Sequence, residues 1–193
     1  METVLKRIRP RSEQAARAGR LYRAAFPDNE RAPLMLLARR AARGRADWWS
    51  ICEDGVWRGF FYAVRHAELV YLFYFAVEPE ARGQGCGTRA LAALCAQYPH
   101  CRVFLAAEAL DRGAENYEER VRRKRFYLRA GMEELHTRVR EGDVSYELLG
   151  VGGAVAAREY GTLMRRWAGR VLGRTIRTKM LPQDKQEDND EPL

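Results

Sequence analysis

The sequence has few of the residues that build metal centres and disulfide frameworks. It contains three histidines and four cysteines in 193 residues, and the cysteines show no CxxC spacing (Cys52, Cys86, Cys95 and Cys101). No histidine accompanies them in a cluster. A bound metal is therefore not expected. We interpret the cysteines as reduced thiols of a cytoplasmic protein.

Long apolar runs are also missing. No stretch of about 18 residues is continuously apolar, so no membrane span is predicted. The opening METVLKRIRPRSEQ lacks the apolar core of a secretion signal. The closing PQDKQEDNDEPL is acidic and almost free of apolar residues, which predicts disorder from about residue 181.

The charge balance is basic, with a formal net charge of +8 and a pI near 9.6. This balance permits binding to nucleic acid, an anionic surface or a phosphorylated cofactor, and selects none of them. The arginines of RVRRKR and of the C-terminal helix change helical phase and do not form one stripe with exposed aromatic residues. Nucleic acid is therefore not the expected partner.

The hydrophobic pattern predicts the element order β-α-α-β-β-β-α-β-α-β-β. Asp54-Gly55 predicts a hairpin between the second and third strands, and the run ELVYLFYFAV is apolar on both faces, as a central strand would be. The predicted class is α+β, a mixed α/β layer. We expect one domain over residues 1–150, a helical extension over 151–180 and a tail over 181–193.

A glycine-rich segment, RGQGCG, lies between the fourth strand and an alanine-rich helix. Such a turn lets backbone N–H groups approach an anion, and the helix N-terminus adds positive potential, so a phosphate group is a plausible ligand. The segment lacks the Gly-Lys-Ser/Thr of a Walker A loop and the GxGxxG of a dinucleotide fold. The alternative is a tight joint that binds nothing.

Two motifs in order resemble the Gcn5-related N-acetyltransferase (GNAT) superfamily. Arg82-x-x-Gly85-x-Gly87 resembles its acetyl-CoA loop. RRKRFYLRAGMEE resembles its FYxxxG segment, with Phe126, Tyr127 and Gly131 in register. The resemblance covers roughly residues 4–150 and points to a small bacterial branch of unassigned substrate. It implies a mostly antiparallel sheet splayed between strands 4 and 5, with helices on both faces.

The resemblance also implies how acetyl-CoA would bind. Three residues of the fourth strand should splay from their parallel neighbour at a bulge and pair with the pantetheine arm (Phe75, Ala76 and Val77). The amides of the glycine loop should hold the pyrophosphate (Arg82, Gly83, Gln84, Gly85, Cys86, Gly87 and Thr88). The opening between the strands should admit the acetyl thioester.

Two residues are candidates for the chemistry. Tyr127 is the motif tyrosine, and a phenol of pKa about 10 can protonate a departing thiolate. Its alternative role is that of a buried aromatic side chain. Glu108 ends an apolar strand at the opening and could accept a proton through water. Its alternative is a solvated strand-end carboxylate.

Neighbouring positions leave further questions open. Tyr71 occupies the strand position where histone-type relatives carry a glutamate. Arg120 replaces an asparagine that many relatives carry, with Asn116 one turn earlier. Glu30 and Asp111 are weaker candidates for binding a cationic acceptor.

The expected function is acetyl-CoA-dependent N-acetyltransfer to a primary amine of a small molecule or peptide. The main alternative is a non-catalytic, regulatory acyl-CoA-binding domain. A homodimer is left open.

Overall fold

In the computed structural model, residues 2–172 and 178–180 are described. Their element order confirms the predicted one and adds a short last strand. The helices are α1 (Glu13–Ala25), α2 (Leu34–Ala42), α3 (Cys86–Gln97), α4 (Tyr117–Arg129) and α5 (Ala157–Leu172). The strands are β1 (Thr3–Arg7), β2 (Ala46–Glu53), β3 (Val56–His66), β4 (Leu69–Val77), β5 (Arg102–Glu108), β6 (Glu133–Glu141), β7 (Val144–Val151) and β8 (Thr178–Met180).

The strands form one mixed sheet in the order β1-β2-β3-β4-β5-β7-β6-β8. Every neighbouring pair is antiparallel except β4 and β5, which run parallel. This pair is joined by the crossover through α3, as parallel strands require. The predicted mixed, mostly antiparallel sheet is confirmed.

Local signals set several element ends. Asp54 and Gly55 have φ values of 47° and 82°, as a two-residue hairpin turn requires. Ser12 caps α1 by accepting a hydrogen bond from the Ala15 amide at 3.2 Å. Helix α2 begins only at Leu34 because Pro33, which has no N–H and a fixed φ, sets its first turn.

Strand β4 contains a bulge near its middle. Its neighbour β3 pairs Tyr62 with Tyr74 and Ala63 with Leu72, so Phe73 is one extra residue on β4. The side-chain alternation is therefore broken, and both Phe73 and Tyr74 pack on the same face of the sheet. A bulge bends its strand, and β4 pairs with β5 only as far as Tyr71, which lies opposite Phe104.

Two apolar cores cover the two faces of the sheet. The first face is covered by α1, α2 and α5, and its largest buried side chains include Tyr22, Phe60 and Tyr160. The second face is covered by α3 and α4, with Phe61, Leu91 and Leu94 at its centre. No helix within the described ranges is long and apolar enough to cross a membrane.

The C-terminal helix α5 is part of the first core. Trp167 packs edge-on against Phe73, with ring centroids 4.8 Å apart, and Tyr160 packs against Tyr71 at 5.2 Å. Gly169, with a φ of 74°, interrupts the helix near its end. Strand β8 pairs with β6 and was not predicted, since three residues carry too little pattern. The tail over 181–193 lies outside the described residues.

We expect Trp167→Ala to lower the free energy of unfolding by about 3–5 kcal/mol, because it leaves a cavity in the first core. Urea denaturation measures this change. Arg165→Ala is the matched control, since Arg165 is exposed on the same helix and should stay within about 0.5 kcal/mol of wild type. If Trp167→Ala changed the free energy of unfolding as little as Arg165→Ala, the packing of α5 in the first core would contribute nothing to stability.

Candidate cofactor and acceptor site

An opening between β4 and β5 lies at the centre of the sheet. The two strands share only three paired positions, and the last joins Tyr71 to Phe104. Beyond it, β4 continues to Val77 with β3 as its neighbour, while β5 continues to Glu108 beside β7. The β4 edge that faces β5 therefore carries backbone groups without a strand partner, which an extended ligand can satisfy. Phe75, Ala76 and Val77 lie in this splayed part.

The glycine loop follows β4 and leads directly into α3. Gly83 and Gly85 have φ values of 73° and 74°, a region that favours glycine. Gly85 is the N-cap of α3, and the first hydrogen bond of the helix joins the Arg89 amide to the Gly85 carbonyl at 3.1 Å. The amides of Gly85, Cys86, Gly87 and Thr88 thus precede any intrahelical bond. A helix N-terminus of this kind, on the second face, is typical of anion-binding sites.

The three glycines of the loop have different surroundings. A Cβ built on Gly83 meets nothing within 4 Å. A Cβ on Gly85 would lie 2.9 Å from the Arg89 guanidinium, and one on Gly87 would lie 2.9 Å from the Phe126 ring. Gly87 is therefore needed for the packing of α3 against α4, a role that the motif alone did not reveal.

The two arginines that bracket the glycines also differ. Arg82 is exposed, and its Nε donates to the Val77 carbonyl at 3.2 Å. Within the described ranges Arg82 has no carboxylate partner. Arg89 instead forms an ion pair with Glu53 at 2.8 Å. Of these two arginines, Arg82 is the one placed to contact a phosphate.

Tyr127 lies on α4, partly buried against the second core. Burial raises the pKa of Tyr127 to about 12, and the charge of Arg123, one turn earlier, acts in the opposite direction. Its hydroxyl has no hydrogen-bond partner among the described residues. The phenol thus stays protonated at neutral pH and has its O–H available to a ligand.

Glu108 lies at the end of β5, as predicted, and is held by two arginines of α4. Its Oε1 pairs with Arg120 at 3.0 Å and its Oε2 with Arg123 at 3.2 Å. Arg120 also donates to Asn116 and to the Ala109 carbonyl. The arginine that replaces the expected asparagine therefore fixes the strand-end carboxylate.

Glu30 lies close enough to Glu108 for their charges to interact. It ends a 3-10 turn before α2, and its carbonyl accepts a hydrogen bond from the Tyr74 hydroxyl of β4 at 2.9 Å. Burial and the negative charge of Glu108 raise the pKa of Glu30. Tyr146 of β7 also lies within the field of both carboxylates, and burial raises its pKa to about 12. Acidic and aromatic side chains thus lie near one another at the end of β5.

A buried chain of hydroxyl groups begins where the two strands part. The Tyr160 hydroxyl lies 3.4 Å from that of Tyr71 and donates to the Glu141 carboxylate at 2.9 Å. Burial raises the pKa of both tyrosines. No sequence motif indicates a role for Tyr160 or Glu141, because one lies on the C-terminal helix and the other at a hairpin end.

The sequence of this chain matches the model of a known protein family. The model for the acetyltransferase (GNAT) family matches residues 15–132, which include β4, the glycine loop, β5 and α4. The chain belongs to the GNAT acetyltransferase family. The match covers both motifs on which the resemblance rested and stops before β6, β7 and α5.

Solved structures with this fold are described as acetyltransferases. One assigned to the family from Bacteroides thetaiotaomicron is 24% identical with a TM-score of 0.68, covering 88% of this chain and 98% of its own. The ribosomal-protein-S18-alanine N-acetyltransferase of Escherichia coli is 17% identical with a TM-score of 0.57, covering 80% and 96%. An aminoglycoside 6'-N-acetyltransferase complexed with coenzyme A is 14% identical with a TM-score of 0.58, covering 77% and 96%. No curated protein matches the sequence.

We expect Gly87→Val to lower the free energy of unfolding by about 1–3 kcal/mol, because its side chain would collide with Phe126. Urea denaturation checks this, with Thr88→Val at the exposed neighbouring position as the control. The double variant Gly87→Val/Phe126→Leu should recover part of the loss by making room. A Gly87→Val protein as stable as wild type would contradict the assigned packing role.

Proposed function

We propose that this protein is an acetyl-CoA-dependent N-acetyltransferase that transfers an acetyl group to a primary amine by direct attack. The observation that carries the proposal is the early parting of β4 from β5 beside a glycine loop that opens a helix. An opening and an anion-binding terminus stand next to each other, as a long ligand with a diphosphate at one end requires.

The residues present fit acetyl-CoA. The unpaired edge of β4 over Phe75, Ala76 and Val77 would hold the pantetheine arm, and the amides of the loop and the α3 terminus would hold the diphosphate. Arg82 would add a charge-assisted contact. When bound, the thioester supplies the activated acetyl group.

The acceptor amine would enter from the first face. The phosphate-binding terminus belongs to α3 on the second face, so the other end of the opening faces Glu30, Glu108 and Tyr146. Carboxylates on both sides of the entrance favour a cationic acceptor, because an ammonium group would offset their mutual repulsion. The acceptor is thus a primary amine of a small molecule or a peptide.

Tyr127 would act as hydrogen-bond donor to the departing thiolate. With a pKa of about 12, complete proton transfer to an ordinary thiolate of pKa about 8.5 is uphill. A hydrogen bond that strengthens as negative charge develops on sulfur requires no such transfer. The charge of Arg123 lowers the cost of any negative charge on the phenol.

Glu108 would accept the amine proton through water. Its two oxygens offer about four lone-pair sites, so the pairs with Arg120 and Arg123 leave acceptor capacity. The chain from Tyr71 through Tyr160 to Glu141 is a second route. A proton accepted at Tyr71 would be balanced by transfer from Tyr71 to Tyr160 and from Tyr160 to the Glu141 carboxylate.

The neighbouring structures support an amine acceptor and no narrower class. The names of two of them specify an aminoglycoside and the alanine of a ribosomal protein. The four cysteines are free thiols, which supports a reducing, cytoplasmic compartment. A regulatory acyl-CoA-binding domain is the alternative, favoured by the ion pairs that hold Glu108.

We expect Tyr127→Phe to reduce kcat by roughly 10²–10⁴ and to leave the affinity for acetyl-CoA unchanged, because ring packing is kept. A panel of aminoglycosides, polyamines, amino acids and N-terminal peptides, assayed for release of free CoA, supplies the acceptor. Tyr117→Phe on the same helix is the control and should be neutral. Binding of acetyl-CoA without turnover of any amine would favour the regulatory alternative.

We expect Glu108→Gln to reduce kcat by roughly 10²–10⁴ if the carboxylate accepts the amine proton, whereas Tyr160→Phe should reduce it only a few-fold. The control for loss of a buried hydroxyl is Tyr62→Phe, whose hydroxyl donates to the Leu37 carbonyl at 3.0 Å. The reverse order of effects would assign proton transfer to the Tyr71–Tyr160–Glu141 chain.

A further inference from the structure

A buried carboxylate lies beneath the glycine loop. Glu53 ends β2 and is 3% exposed, so its charge requires compensation. Its Oε1 accepts hydrogen bonds from Arg89 Nε at 2.8 Å and from Thr3 Oγ1 at 3.2 Å. The Cys86 thiol also interacts with it, and burial together with Glu53 raises the pKa of Cys86 to about 11. Three elements, β1, β2 and α3, thus meet at one carboxylate.

Arg89 connects this carboxylate to the loop. While its Nε pairs with Glu53, its Nη1 donates to the main-chain carbonyl of Gln84 at 3.0 Å. The Gln84 side chain in turn donates to the Glu80 carbonyl at 2.8 Å. The loop is therefore held at both ends of the Glu80–Gln84 segment, and one of these ends depends on a charged group of the core.

The contact to the Gln84 carbonyl sets the orientation of one peptide plane. In a planar trans peptide the C=O and the following N–H point in opposite directions. Because the Gln84 carbonyl accepts a hydrogen bond from Arg89, the Gly85 N–H points away from the Arg89 guanidinium. Gly85 is the N-cap of α3, so this amide is among those not used within the helix.

Gly85 itself is adapted to this contact. A Cβ on Gly85 would lie 2.9 Å from Arg89 Nη1, so a side chain there would displace the guanidinium from the Gln84 carbonyl. Glu53 neutralises the charge of Arg89 at a distance of 2.8 Å. Arg82, in contrast, has no carboxylate partner within the described ranges.

We propose that Glu53 and Arg89 are positioning residues for the diphosphate of the CoA thioester: the carboxylate holds the guanidinium, which holds the Gln84 carbonyl and so aims the Gly85 amide at the anion. The inference rests on the proposed use of acetyl-CoA. It identifies a residue of β2, 36 positions before Arg89, as a determinant of cofactor affinity. Arg89 acts through the loop and does not contact the phosphate.

Calorimetric titration with CoA tests the proposal. Glu53→Gln keeps the size of the side chain but removes its charge, and should raise the Kd by roughly 10- to 100-fold. Arg89→Lys should raise it by a similar factor, because an ammonium group cannot reproduce the two-pronged contact. A direct phosphate contact predicts instead that lysine keeps most of the affinity.

Thr3→Val is the matched control. It removes the other hydrogen bond to the same Glu53 oxygen and keeps the contacts from Glu53 through Arg89 to the Gln84 carbonyl. Its Kd should therefore stay within about twofold of wild type. The melting temperature of each variant reports general loss of stability. The ¹H–¹⁵N resonance of Gly85 in ligand-free protein should move in Glu53→Gln and Arg89→Lys and remain in place in Thr3→Val.

The outcomes separate the two proposals. Failure of the wild type to bind CoA overturns the proposed cofactor and this inference with it. Binding by the wild type, together with an unchanged Kd and an unmoved Gly85 resonance in folded Glu53→Gln, overturns the positioning role alone. If Glu53→Gln does not fold, the Kd for CoA and the Gly85 resonance of Arg89→Lys test the positioning role instead.

Discussion

The separation of β4 from β5 after Tyr71 is the constraint on which the rest of this structure depends. Backbone groups at an interior strand edge need partners, and the extra residue Phe73 bends β4 away before the sheet can supply them. The opening is possible because both faces beside it are covered by helices. Although β4 and β5 share only three paired positions, apolar cores on both faces still enclose the sheet there.

The two faces of the sheet have separate roles around this opening. The second face carries the N-terminus of α3 and the glycine loop, where amides not used within the helix would attract the diphosphate of the proposed cofactor. The first face carries a cluster of tyrosines, and Glu30 and Glu108 lie close enough for their charges to interact, which would favour a cation in the proposed site. A ligand that is anionic at one end and reacts with an amine at the other suits this division. The helix α5, which lies beyond the matched family region, completes the first face through Tyr160 and Trp167.

Ion pairs between arginines and two largely buried carboxylates orient the residues on both sides of the opening. Glu108 is held by Arg120 and Arg123, and Glu53 by Arg89. In each case an arginine serves a carboxylate and also donates to a main-chain carbonyl or a neighbouring side chain, which orients the local backbone. Arg89, Arg120 and Arg123 are therefore matched by carboxylates, whereas Arg82 has no carboxylate partner in the part of the chain that the structure describes and is the arginine of the loop that we propose to contact a phosphate.

Much of this protein followed from local sequence. The Asp54-Gly55 hairpin, the Ser12 cap, the order of elements and the glycine loop were all predictable, because each depends on neighbours in the chain. The motif register of Tyr127 was also sufficient to place it on α4. The role of Gly87 was not predictable, since Phe126 lies on another helix and no spacing rule connects them.

What only the tertiary structure decided concerns contacts between distant segments. Glu53, Glu141 and Tyr160 carry no motif, and each acquires its place when separate strands and helices pack together. The same holds for Glu108, whose position at the strand end was predicted but whose two arginine partners were not. Sequence determines the conformations that a residue and its neighbours favour. The partners of a buried charge depend instead on which elements the two cores bring within hydrogen-bond distance.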